Sequence, residues 1–365
     1  SRILAHSLLR IESLAIGRDP ILVHHSWIKA ALARHLVDLP LGPGEQMLEG
    51  FIEGAVHAGE RQVVCVVAEG VLAVPSAVRE AEEAEGEAEG VAKPGGGGML
   101  LGQKIDDRVA EMRTLPKGVD QRSASRHPDW TGPDDLEIKI LEIREITGWK
   151  VPIFIKVAGA RPYYDTALAV KAGADVVVLD GMQGGTAATQ EVFIENVGQP
   201  TLACIRPAVN ALQDLNSHRE VQLVISGGIR NGADVAKALA LGADAVSIGS
   251  AAMIAIGDND PKWEKDYNNL GTTAGAYDDW HEGNDPAGIS TQDPKLMKRL
   301  NPVEAGKKLT NYLKVMTLEA QTLARACGKN SLHNLEPEDL CALTVEAAAM
   351  AGVPLAGTDW TPGKK

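Results

Sequence analysis

The sequence predicts an α/β fold of parallel strands, an eight-stranded (β/α)8 barrel in preference to a doubly wound sheet, on three observations. Apolar runs of strand length alternate with helical segments across residues 151–249. Each run ends in a polar or glycine-bearing turn, where α/β proteins place their sites. No GxGxxG follows a first strand, and the glycine turns fall on several successive strands instead.

The elements follow in chain order. Residues 151–157 (VPIFIKV) form an apolar run of strand length, and 164–172 read as a helix with Gly173 at its C′ stop. Residues 174–179 (ADVVVL) are the next strand, ending at Asp180-Gly181. A helix then leads to 201–205. Residues 221–225 (VQLVI) are a strand ending at Ser226-Gly227-Gly228. Residues 234–241 are a helix stopped by Gly242, and 243–248 (ADAVSI) a strand ending at Gly249. KAGADVV (171–177) and LGADAV (241–246) repeat one logic of helix, glycine stop, Ala-Asp and buried strand. Such alternation means βα units and a parallel sheet. Beyond about Asn301 the pattern is helical, with apolar residues at 3–4 spacing over 304–326 and 338–351 and stops at Gly328 and Gly352.

Length and charge bound the rest. At about 150 residues per domain, 365 residues make two domains or one large barrel with additions. Acidic residues outnumber basic ones, 49 to 36, which argues against a nucleic-acid binder and against docking on anionic lipid. No stretch approaches the ~20 apolar residues of a membrane helix, and residues 1–20 show no cleavable signal pattern. Cys65, Cys204, Cys327 and Cys341 are widely spaced without a CxxC, so a reduced, cytoplasmic protein is expected. Six glutamates fall in residues 80–90 with nothing basic among them. Such a run repels itself and reads as a solvated linker. The expected organisation is therefore a divergent segment at 1–79, the linker at 80–90, a barrel portion at 91–300 and a helical extension at 301–365. In the first segment, 62–68 and 70–74 read as strands, 27–36 as a short helix, and His24-His25 as a structural pair lacking ligand-spaced neighbours.

Several turns carry candidate chemistry. KPGGGG (93–98) joins Lys93 to four glycines whose bare backbone admits a flat ligand or an anion, or else continues a flexible linker. Gly184 and Gly185, in DGMQGGT (180–186), come off a buried strand. Gly227, Gly228 and Arg230, then Gly249 and Ser250, come off the next two, and barrel loops after the last strands often hold phosphate on backbone N–H groups. Lys156 interrupts an apolar strand, so it either snorkels out or meets an anion at the strand end. His127 is a proton-transfer candidate, with a structural loop histidine as the alternative. No cluster with metal-ligand spacing occurs.

The stretches KPGGGGMLLGQKI (93–105), QRSASRHPDWTGPDDLEIKI (121–140), VKAGADVVVLDGMQGGTAATQ (170–190), SGGIRNGADVAKALALGADAVSIG (226–249), DPAGISTQDP (285–294) and NYLKVMTLEAQTLARACGK (311–329) resemble the FMN-binding domain of the glutamate synthase family. Within it, they are similar to the branch formed by the FMN-type component of methylamine–glutamate N-methyltransferase (N-methylglutamate synthase). The resemblance runs from about Val91 to Trp360. It implies a (β/α)8 barrel holding FMN at its carboxyl face, with Lys156 near the flavin, Gly228, Gly249 and Ser250 at its phosphate, and Gly184 and Gly185 close by. It also implies that Lys93 and Arg113 hold the carboxylates of 2-oxoglutarate, a task that suits fixed Lys and Arg donors.

Three departures from the family pattern shape the expectation. Met99 stands where glutamate synthases carry a glutamine. Residues 258–286 contain no cysteine, so no iron–sulfur cluster is expected there. Residues 1–90 carry none of the family's early glycine turns, so that part of the barrel is divergent or incomplete. The first two favour an FMN-dependent enzyme component that turns L-glutamate and methylamine into N-methyl-L-glutamate and ammonia, working with glutamine-amidotransferase-like and glutamate-synthase-like companions. The alternatives are an ordinary FMN-dependent glutamate synthase domain, and a flavin-free structural or regulatory paralogue.

Overall fold

The computed structural model describes residues 99–122, 132–184, 196–270, 284–291 and 293–363. The strands read at 62–68 and 70–74, the helix at 27–36, the pair His24-His25 and the glutamate run lie outside them. So do Lys93, His127 and Gly185.

The described chain opens on a two-residue antiparallel pair, β1 (Met99–Leu100) and β2 (Gln121–Arg122), flanking helix α1 (Asp107–Arg113). Helix α2 (Pro133–Ile146) leads into the main layer. There β3 (Phe154–Ala158), β4 (Val176–Asp180), β5 (Gln222–Ser226) and β6 (Ala245–Val246) pair in parallel, in chain order. Helices α3 (Pro162–Lys171), α4 (Thr201–Asp214) and α5 (Gly232–Ala240) make the crossovers. Among the described residues the four strands neighbour one another in chain order, an order consistent with a barrel. The fold is therefore α/β with a parallel sheet, as the alternation predicts.

Period-two side-chain alternation divides this sheet into two faces. Ile155, Val177 and Leu223 lie in register, as do Val157, Leu179, Ile225 and Val246. All seven belong to the core under the helices, most of them with no solvent exposure. The opposite face carries Lys156, Val178 and Val224 in one row and Ala158, Asp180 and Ser226 in the next. Because the core claims one face, the polar side chains gather on the other.

Glycine ends the helices where the sequence places it. Gly173, Gly242, Gly328 and Gly352 have φ of 103°, 111°, 73° and 64°, the left-handed region that a Cβ penalises. Helix α6 (Ser250–Ile256) follows β6, and the short α7 (Glu264–Asn269) and α8 (Pro294–Met297) follow in turn. Helix α9 (Pro302–Ala326) then buries Ala305, Leu309, Met316, Ala320 and Ala324 along one stripe against α5 and α6.

Two local readings change. Residues 201–205 are the opening turns of the 14-residue α4. The helix expected over 338–351 is broken, leaving a 3-10 turn at Pro337–Asp339 and helix α10 (Val345–Ala351). Leu340 is extended, Ala342 pairs with Leu355, and the Thr344 hydroxyl accepts from Ala347 N at 3.1 Å. A threonine side chain that accepts from the backbone three residues on caps a new helix rather than continuing an old one. Among the described residues, no helix is long and apolar enough to cross a membrane.

Candidate functional site

The carboxyl ends of β3 to β6 and the turns after them form the candidate site. Lys156 projects from the middle of β3 on the face away from the core. Its Nζ lies 3.2 Å from Asp180 Oδ2 at the end of β4. The two side chains are 20% and 7% exposed, so water screens their pairing little. Ser226 and Ser247, both buried, continue a polar row across β5 and past β6. Asp180 does not figure among the residues that sequence reasoning singles out. The signal is its parity with Lys156, since both side chains occupy the same face, but that requires the β3–β4 register.

The turns behind this pair are closed by Thr201, the first residue of α4. Gln183 Oε1 accepts from both the backbone N–H and the hydroxyl of Thr201, each at 2.9 Å. A Cβ on Gly181 would sit 2.1 Å from Thr201 Oγ1, and one on Gly227 2.7 Å from the same oxygen. Gly184 is bare because a Cβ there would fall 1.8 Å from Asp180 Oδ1. Gly227 has φ of 102° and Gly228 75°. Close packing of two strand-end turns around one threonine and one aspartate thus accounts for Gly181, Gly184 and Gly227. Gly228 packs over the Gln183 side chain.

The next turn differs. Gly249 is the N-cap of α6 and brings no side chain to cap it, with Ser250 as the first helical residue, both half-buried. A helix start left uncapped by side chains presents N–H donors to an anion. The Arg230 side chain is 77% exposed and pairs with Asp234 at 3.4 Å, while Tyr312 donates its hydroxyl to the Arg230 carbonyl. Arg113 lies exposed in the last turn of α1. The structure therefore brings together Lys156, Gly184, Gly227 and Gly228 around the ends of β3 to β5.

Asp180 also acts on Cys204, whose thiol is pushed up to about 11, first by burial and then by the nearby Asp180 charge. That thiol stays protonated and inert at neutral pH. A polar cavity of about 520 Å³ lies elsewhere, lined by Arg219, Lys329 and His333. Its cations are already engaged, Arg219 with Asp244 and Lys329 with Glu336. Among the described residues no group of three or more His, Cys, Asp or Glu is placed to hold a metal ion.

This chain belongs to the glutamate synthase family: the conserved region in glutamate synthase matches residues 40–262 and 274–330. The match begins upstream of Val91, where the motif resemblance starts. A "glutamate synthase large subunit-like protein" of Rhizobium meliloti (strain 1021) is 84% identical over 273 residues, covering 75% of this chain and 62% of the relative. An "archaeal-type glutamate synthase [NADPH]" of Dehalococcoides mccartyi is 36% identical over 271 residues, covering 73% of this chain and 51% of the relative. This chain thus spans between about half and two thirds of those relatives' length. Among solved structures, a flavocytochrome b2 double mutant with pyruvate bound is 17% identical and covers 63% of this chain and 42% of its own. Its TM-score of 0.36 is too low to bear on the site.

Proposed function

We propose that this chain is the FMN-binding part of a glutamate synthase-like enzyme, specifically of an N-methylglutamate synthase that converts L-glutamate and methylamine to N-methyl-L-glutamate and ammonia. The observation that carries the flavin reading is Lys156. It is a cation on the coreless face of a parallel sheet, and its Nζ reaches the carboxyl end of β4, the side on which such folds bind ligands. The donor set fits FMN: Lys156 for the electron-rich edge of the ring, and the backbone of Gly228, Gly249 and Ser250 for the phosphate. FMN supplies hydride transfer when bound. The protein's part is to hold it, to bind a dicarboxylate through Lys93 and Arg113, and to place a proton donor such as His127. The cysteine-free stretch 258–286 and Met99 support the methylamine branch over an ordinary glutamate synthase. Companion amidotransferase-like and synthase-like subunits complete the proposed assembly.

The test is a purified full-length protein with its companion subunits. A flavin band near about 450 nm is expected, with N-methylglutamate formed from methylamine and glutamate. FMN that neither co-purifies nor binds on titration overturns the flavin reading. Glutamate formed from 2-oxoglutarate and ammonia, with methylamine ignored, assigns the chain to the ordinary synthase reaction, as the names of the archaeal-type relatives would have it.

A further inference from the structure

We infer that Asp180 is the counter-ion of the flavin-facing lysine: Lys156 and Asp180 meet the flavin as a neutral pair, and removing either charge shifts the flavin's electron affinity in opposite directions. The inference rests on the flavin reading above. Its basis is geometric. In the β3–β4 ladder Ala158 stands opposite Asp180, two residues beyond Lys156 on the same face. With only a methyl at position 158, the lysine stem can run along the sheet to the carboxylate, where Nζ reaches Oδ2 at 3.2 Å.

Asp180 is fixed from several sides. Its carbonyl accepts from Gly159 N at 2.7 Å, tying the end of β4 to the turn after β3. The backbone of Gly184 lies against its carboxylate so closely that no Cβ fits. A free lysine has four rotatable bonds and a full charge. Paired here, it has one direction and a compensated charge. A lone cation beside a flavin favours electron density in the ring, and a paired one favours it less.

The experiment uses the FMN-loaded full-length protein and sulfite as a probe. Sulfite adds its sulfur lone pair to flavin N5, and the displaced electron pair becomes negative charge on the ring. Its affinity therefore reports the local charge without any turnover. Asp180→Asn is expected to tighten sulfite binding by about tenfold or more, Lys156→Met to weaken it by a similar factor, and the double variant K156M/D180N to return to within a few fold of wild type. FMN affinity is measured alongside. If D180N does not fold, K156M against the double variant carries the test, and restored sulfite affinity supports the inference. If FMN binds but D180N leaves sulfite affinity unchanged or weaker, or the double variant stays at the K156M level, the inference is overturned while the flavin reading stands. If wild type binds no FMN, the flavin reading itself fails.

Discussion

Asp175 and Asp244 perform the same task at two places on the sheet. Asp175 Oδ2 accepts from Ile153 N at 2.7 Å, just ahead of β3, and Asp244 Oδ2 accepts from Leu223 N at 2.8 Å in β5. Each also pairs with an arginine, Arg144 on Asp175 and Arg219 on Asp244. The Ala-Asp of the two sequence repeats thus clamps the amino end of the sheet, the end that in barrels serves stability rather than chemistry.

Removing either clamp takes the carboxylate from a backbone N–H and from an arginine, although Arg144 keeps the Gly173 carbonyl. Asp244→Ala is expected to cost about 2–3 kcal/mol, because its side chain is 8% exposed. Asp175→Ala, at 40% exposure, is expected to cost about 1 kcal/mol. Urea unfolding of both variants checks the order, and a larger loss for Asp175→Ala refutes the burial argument.

Glycine substitutions separate packing from backbone conformation. Gly227→Ala combines a φ of 102° with a contact 2.7 Å from Thr201 Oγ1, in a turn hemmed by the backbone of Gly181 and Gly184. More than about 3 kcal/mol is expected. Gly328 has φ of 73° but open space around it, so Gly328→Ala is expected to cost about 1 kcal/mol. Equal melting temperatures for the two variants contradict this.

Two buried aspartates share one tyrosine. Tyr267 Oη lies 3.1 Å from Asp258 Oδ1 and 3.0 Å from Asp285 Oδ1, yet has one proton to donate. Asp285 also accepts from the backbone N–H groups of Ala287, Ile289 and Ser290. Asp258 is pushed up to about 6, first by burial and then by the Asp285 charge. Its folded pKa exceeds its unfolded value near 4. The stability it contributes is therefore present below pH ~4 and lost as pH rises through about 6. Asp258→Asn removes this dependence, so the stability of the variant relative to wild type should rise between about pH 4 and 7. Parallel stability curves across that range refute the shared-proton arrangement.

The seam between α5 and α9 has no room at Gly232. A Cβ there would meet Met316 O at 2.2 Å, and Gly232 N donates to Glu319 Oε2 at 2.8 Å. Gly232→Ala is expected to raise hydrogen exchange across residues 316–324 while leaving the amides of β4 and β5 protected. Unchanged exchange in α9 would show that the seam has slack.

Much of the fold is legible because its signals are local. The strands at 154–158, 176–180 and 222–226 announce themselves by β-branched runs, and the helix stops by glycines that tolerate φ above zero. Lys156 stands out because a lysine in an apolar strand needs a reason. Asp180, Thr201 and Gln183 do not stand out, since each gains its role from a neighbour 18 to 25 residues away. The break within 338–351 is hidden for the same reason, since Ala342 leaves the helix to pair with Leu355.

The sequence by itself determined the alternation of strands and helices, the places where turns fall, and which strand carries a cation. These depend on side-chain period and on backbone freedom at single residues. Only the tertiary structure decided that Lys156 meets Asp180, that Thr201 plugs two glycine turns, and that the repeated Ala-Asp closes the amino end of the sheet. Those outcomes depend on how distant elements meet, and a one-residue shift in the β3–β4 register would turn Lys156 and Asp180 to opposite faces.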